Sequence, residues 1–406
     1  MHTLWEDRFA LRTDNIKSSA IRELLKITTL PDVISFAGGL PAPDVFPIEQ
    51  FRRAADVVLT EMGESALQYG TTEGYQPLRE MIARNASKYG LQISADNVLI
   101  TTGSQQALDL LGRIFINRGD RILVESPTYL GALQAWNAYG VKYVTIPFDE
   151  DGMQTEMLES RLRTGIKFIY VLPNFQNPTG VTLSRERRKQ LVEMADAYGV
   201  PIVEDDPYGQ LRYEGEHLPP VVVLDDEMRA KEVPMYSGNV IYTSTFSKIL
   251  APGLRLAWVV APSEVIKKLV QAKQGCDLNS STLNQYIAYE VANTPWMKTH
   301  IQTIRRVYKE RRDVMISALE EYMPEGVSWT KPKGGLFLWV TLPECLDTST
   351  IFKTAVEKKV AFVPGESFHA LGGGLNTMRL NFSNSKPDLI VEGIKRLAEV
   401  VKAEIK

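Results

Sequence analysis

The chain has 406 residues, with 46 Lys plus Arg against 49 Asp plus Glu and a formal net charge of −3, so no strong field draws it to nucleic acid or to an anionic membrane. With 44% hydrophobic and 23% charged residues it has the make-up of a soluble globular protein with a substantial core. Its two cysteines, Cys276 and Cys345, lie far apart without CxxC spacing, so neither a zinc site nor a disulfide framework is expected, and a reducing cytoplasm is the expected setting.

The first residues, MHTLWEDRFALRTDN, carry acids and no long apolar stretch, unlike a secretory signal. No apolar run approaches the roughly 18 residues of a membrane span. Residues 13–30 read as one helix, and 31–48 are rich in Pro and Gly. Strand and helix patterns then alternate. NVLIT (97–101) is a buried strand, and Ala107, Leu110, Leu111, Ile114 and Phe115 repeat at helical spacing after Gly103. RILVES precedes the helical GALQAWNAYG; YVTIPF, FIYVLP, PIVED, VIYTST and LAWVVAP are further short apolar runs. Ser184 is placed to cap a helix that ends before Gly199. Runs of Ile, Val and Leu that alternate with helices predict an α/β fold whose sheet is largely parallel and covered on both faces.

Beyond about residue 285 a long helical stretch runs to Tyr322, followed by the strand-like GGLFLWVTL, a helix, and the strand-like MRLNFS. A smaller α+β domain built from both termini is therefore expected around a large central one. The basic cluster Arg305, Arg306, Lys309, Arg311 and Arg312 reads as the solvated face of a helix.

Polar clusters follow the apolar runs directly: GSQQ after VLITT, PTY after ILVES, NFQNPTG after FIYVLP, DPY after PIVED, and FSK after VIYTST. Ligands of open α/β sheets bind outside the carboxyl ends of the strands, so five such clusters predict one assembled site. The glycine turn and helix start of GSQQ suit a phosphate, although the chain holds neither GxxxxGK[ST] nor a GxGxxG fingerprint after a strand. Asp205 closes a buried strand, where a carboxylate needs a partner such as a structural cation or a protonated heterocycle. Lys248 follows another buried strand. It is either a surface residue or an amine with a lowered pKa, and the nearby Thr245, Ser247 and Arg255 favour the second.

In the order NPTG, EDDPY, STFSK with GLR, and a late Arg379, the chain resembles the fold-type I aminotransferases that use pyridoxal 5′-phosphate (PLP). The match is nearest to the branch of 2-aminoadipate and kynurenine aminotransferases, and it runs from ISFAGGLPAPDVFP to MRLNFS. The resemblance implies a large domain over 48–290 with a mostly parallel seven-stranded sheet, and a small domain from 1–47 and 291–406. Lys248 would bind the cofactor covalently, and Asp205, three residues before Tyr208, would keep the ring nitrogen protonated. Asn177 and Tyr208 would hydrogen-bond the ring O3′, and Tyr129 would stack on the ring. Ser104, Gln105, Thr245, Ser247 and Arg255 would surround the phosphate. Tyr69 would reach the phosphate of a neighbouring subunit, implying a homodimer. Arg379 would clamp the substrate α-carboxylate, with Asn177 and the Gly38–Gly39 loop beside it, and Arg22 would meet a side-chain carboxylate. The expected reaction is ping-pong transfer of an amino group from an amino acid to a 2-oxo acid such as 2-oxoglutarate. Other PLP chemistry, such as β-elimination, shares the fold, as does the regulator domain that some transcription factors carry behind a DNA-binding module.

Overall fold

A computed structural model describes residues 3–16, 32–229 and 235–405. Its centre is one sheet of β1 (Val98–Thr101), β2 (Arg121–Ser126), β3 (Lys142–Asp149), β4 (Gly152–Met153), β5 (Ile166–Val171), β6 (Ile202–Asp205), β7 (Val240–Thr245) and β8 (Ala257–Val260), in the order β1-β8-β7-β6-β5-β2-β3-β4. The contacts β3–β2, β2–β5, β5–β6 and β6–β7 are parallel. Only β8, antiparallel to both neighbours, and the two-residue β4 run the other way. Seven strands thus make the sheet proper, and β4 adds a short ribbon at its edge.

The strands read as continuous apolar runs because helices cover both faces. Residues 98–101 and 202–205 are buried at every position. On one face Leu99, Ile122, Val124, Phe168, Tyr170 and Val203 pack with the helix Ser104–Phe115 and with Trp136; on the other, Ile100, Leu123, Ile169 and Ile202 join the larger core. This alternation is the period-two geometry of a strand. Ser184 caps the helix Arg185–Ala197 by accepting from Arg187 N.

A second, antiparallel sheet joins Ser328–Trp329, Phe337–Thr341, Thr377–Asn381 and Val363–Pro364. The strand Ile34–Ser35 pairs in parallel with Val360–Ala361, so the two ends of the chain meet. The helical stretch expected beyond 285 is two helices, Thr282–Ala292 and Trp296–Tyr322, separated at Asn293–Pro295. Proline has no N–H and its ring crowds the preceding turn, which explains the break. The helix expected over 13–30 falls mostly outside the described residues; the part described is a 3-10 turn at Leu11–Asn15.

The basic cluster on the second helix is not a solvated face throughout. Arg311 and Arg312 are buried. Arg311 donates to Ser383 O and Asp44 Oδ2, and Arg312 to Pro332 O. These guanidinium groups tie the helix to distant carbonyls and carboxylates, a connection that spacing alone does not reveal.

Candidate active site

The polar clusters predicted from the sequence leave β1, β2, β5, β6 and β7, which all point the same way, so their loops gather at one edge of the sheet. Asp205 ends β6 at 2% exposure. Its carboxylate accepts from Tyr170 Oη at 2.8 Å and Thr243 Oγ1 at 3.1 Å. Burial raises this carboxyl to about 6, against the two hydroxyl donors, which lower it. The next residue, Asp206, faces the other side and accepts from Asn174, Gly209 N and Tyr242. Alternation along the strand thus separates the two acids, and Asp205 is the one whose charge bears on Tyr129 and Tyr208.

Lys248 follows β7 in a short 3-10 turn, where Thr245 Oγ1 accepts from Ser247 N at 3.0 Å. Its Nζ donates to Gly39 O at 2.8 Å. Burial, then the charges of Arg379 and Arg255, lower the amine to about 8. Arg379, on the strand Thr377–Asn381, is 2% exposed. Its fork donates to Asn177 Oδ1 at 2.8 Å and Ala37 O at 2.6 Å. Phe337 and Phe368 rings lie 4.3 and 5.0 Å from its guanidinium carbon, and burial lowers it to about 10. Tyr208 stands edge-on to Phe337 at 5.9 Å, and burial raises its phenol.

Gly103 opens the helix Ser104–Phe115 with φ +76°, and a Cβ there would collide with the Arg255 guanidinium. This glycine is therefore needed twice, for its backbone conformation and for the close approach of Arg255. Ser104 Oγ is buried with no hydrogen-bond partner among the described residues, in the first turn of that helix. Gln105 Nε2 donates to Gly131 O at 2.9 Å. A helix N-terminus, an unpaired hydroxyl, Thr245, Ser247 and a guanidinium suit a phosphate. A lysine of lowered pKa and a buried carboxylate suit an aldehyde and a basic ring nitrogen. The residues present therefore fit PLP.

Sequence reasoning missed Tyr170, Thr243, Phe337 and Phe368. Tyr170 carried a signal, since a tyrosine in a fully buried strand needs a partner for its hydroxyl. The two phenylalanines carried none, because they read as ordinary core. Tyr69 is 80% exposed on this chain, and Arg22 lies outside the described residues.

Residues 32–397 match the family described as "Aminotransferase class I and II". An aromatic-amino-acid aminotransferase of Thermococcus litoralis is 49% identical, the match covering 99% of this chain and 96% of that protein. The crystal structure of Pyrococcus horikoshii kynurenine aminotransferase, in complex with PMP, is 48% identical, with a TM-score of 0.93 over 99% of each chain. That of the α-aminoadipate aminotransferase LysN of Thermus thermophilus, complexed with N-(5′-phosphopyridoxyl)-L-leucine, is 42% identical, with a TM-score of 0.92 over 99% of each chain. With the family matched over residues 32–397 and the fold matched along nearly the whole chain, the chain belongs to the class I and II aminotransferases, enzymes that work with pyridoxal phosphate.

Proposed function

We propose that Lys248 and Asp205 are the catalytic pair of a ping-pong transamination, aided by Tyr208, and that the site accepts aromatic, branched-chain and 2-aminoadipate side chains as well as glutamate, with 2-oxoglutarate as amino acceptor. The observation that carries this reading is a buried amine lowered to about 8 in the turn after β7, together with a buried carboxylate at the end of β6, the parallel neighbour of β7. Pyridoxal phosphate, when bound, supplies a carbonyl that captures amino groups and a protonated ring that takes up the electrons released at Cα.

The chain's own residues do the rest. Lys248 would hold the cofactor through Nζ and give way to the amino group of a substrate. Once freed by substrate, its amine would take the Cα proton and pass it on to the cofactor; burial, which lowers this amine to about 8, favours the neutral form that can accept a proton. Asp205 keeps the proton on the ring nitrogen, and Tyr170 and Thr243 fix the orientation of its carboxylate. Asn177 and Tyr208 would hydrogen-bond the ring O3′, and Tyr129 would cover one ring face. Ser104, Gln105, Thr245, Ser247 and Arg255 hold the phosphate, joined by Tyr69 of a second subunit in a homodimer. Arg379 grips the α-carboxylate bidentately, its plane set by Phe337 and Phe368, with Asn177 and Gly39 bordering the substrate. Arg22 receives side-chain carboxylates.

This reading divides the chain into a large domain over 48–290 and a small one from 1–47 and 291–406, and places the enzyme in the cytoplasm. Its support for a broad substrate range is the range of names among the similar proteins. A panel of amino acids with 2-oxoglutarate, assayed for glutamate and the matching 2-oxo acid, tests it. Stoichiometric formation of both from aromatic and 2-aminoadipate donors is expected. Pyruvate and ammonia, formed from donors that carry a leaving group on Cβ, with no 2-oxo acid and glutamate from the others, would make the enzyme a β-lyase.

A further inference from the structure

Gln176 is a buried polar residue beside the site that none of the steps above uses. It is 3% exposed, and its amide is fully engaged. Nε2 donates to Pro127 O at 2.8 Å and to Glu125 Oε2 at 3.1 Å. Oε1 accepts from Thr179 N at 3.2 Å and Thr179 Oγ1 at 2.7 Å. A primary amide has two N–H donors and two carbonyl lone pairs, so every position is filled. The orientation is also determined, because a flipped amide would set its oxygen against the Pro127 carbonyl.

The partners lie on two different loops. Glu125 and Pro127 belong to the end of β2 and to the loop that carries Tyr129. Thr179 belongs to the loop after β5 that carries Asn177. The parallel ladder between these strands runs to Val124 and Tyr170. Beyond it, Gln176 joins the loops through side-chain bonds. Glu125, 2% exposed, is itself fixed by Leu172 N at 3.3 Å. From Asn177 the connection continues to Arg379 at 2.8 Å.

We propose that Gln176 is a positioning residue, a clamp that holds the Tyr129 loop and the Asn177 loop in one frame, so that the stacking ring, the O3′ donor and the carboxylate-binding Arg379 stay in register. The inference rests on the roles proposed above for Tyr129 and Asn177. It distinguishes Gln176 from a residue that merely stabilises the fold, because the clamp acts on the electronic environment of the cofactor and on carboxylate binding.

The test uses the holoenzyme and Gln176→Met, which keeps the length and removes all four bonds. Three quantities are read: the pH midpoint of the visible band of the bound cofactor, KM against kcat for the amino-acid donor, and the melting temperature. Misplacing one buried hydrogen-bonding unit is expected to raise KM roughly tenfold and to move the band midpoint, with Glu125→Leu acting in the same direction and Glu125→Gln, which keeps an acceptor oxygen, restoring most of the loss. Should Gln176→Met not fold, Thr179→Val, which removes the hydroxyl bond to Gln176 together with the one Thr179 Oγ1 accepts from Val181 N, carries the test with a rise of a few fold. A lowered melting temperature with wild-type KM and band midpoint would overturn the clamp. Failure of the wild-type protein to develop the band would instead overturn the assignment of Lys248, so the two failures are distinguishable.

Discussion

Asp205 is a carboxylate that the fold alone disfavours. Burial raises it from 3.8 to about 6, which corresponds to about 3 kcal/mol against the charged form. Because the folded pKa lies above the unfolded one, the penalty is absent below about pH 4 and complete above about pH 6. A protonated ring nitrogen placed beside it offsets that cost. Asp205→Asn is therefore expected to raise the melting temperature of the cofactor-free protein at pH 7 while cutting kcat at least a hundredfold; a variant with wild-type kcat would remove Asp205 from the chemistry. Lys248 gives the opposite sign. Its amine is lowered from 10.5 to about 8, so it is largely neutral where a surface lysine is still charged. The rate at which cofactor-free protein captures PLP should rise through about pH 8, and a rise delayed to near 10.5 would mean that the amine is not held in this environment. Lys248→Ala should abolish turnover.

At the scale of elements, the loops at the carboxyl edge of the sheet do the work, and each is fixed by a local device. The phosphate-facing turn depends on Gly103, whose positive φ and contact with Arg255 leave no room for a side chain. Gly103→Ala is expected to weaken PLP binding roughly tenfold or more, as backbone strain of about 1–3 kcal/mol allows, measured by equilibrium titration; unchanged affinity would place the phosphate elsewhere. The loop after β5 is pinned by Arg188, whose guanidinium donates to Pro173 O, Asn174 Oδ1, Leu183 O and Pro219 O. These elements were legible in unequal degree. Asp205 and Lys248 stood out because one closes and the other follows a buried apolar run, where the chain gives a reason to expect a ligand, whereas Asn177 was named only through the family resemblance. Phe337 and Phe368 were not legible, because a ring that flanks a guanidinium and a ring in a core have the same sequence pattern. Arg311 and Arg312 misled for the converse reason, since much of their charge is satisfied by carbonyls and by the carboxylates of Asp44 and Glu214, far away in the chain. The break at Pro295 was written in the sequence, but helical periodicity on both sides of it hid the interruption.

Over the whole molecule, several large apolar side chains are exposed along the helix that leads to Tyr69 and across from its end. Ile48, Leu59 and Leu67 are 73, 49 and 69% exposed on or next to the helix Ile48–Ala66, and Leu278 is 47% exposed. Gly70 sits against Thr282 and Asn279, which brings the two segments together. Patches of this kind mark interaction surfaces, and a second copy that covers it would bring Tyr69 to a neighbouring phosphate. Sedimentation equilibrium should give twice 45.6 kDa, and Tyr69→Phe should leave the dimer intact while weakening cofactor binding roughly tenfold through one lost bond to a charged group. A monomer with full activity would contradict the shared site. Whether the site around Lys248 and Asp205 carries out both halves of an amino transfer is read from the visible absorption of the purified holoenzyme during alternate additions of glutamate and 2-oxoglutarate. Glutamate is expected to abolish the band of the lysine-bound cofactor, 2-oxoglutarate to restore it, and Lys248→Ala to show no such cycle; a band that forms normally and responds to no amino acid would contradict amino transfer at this site.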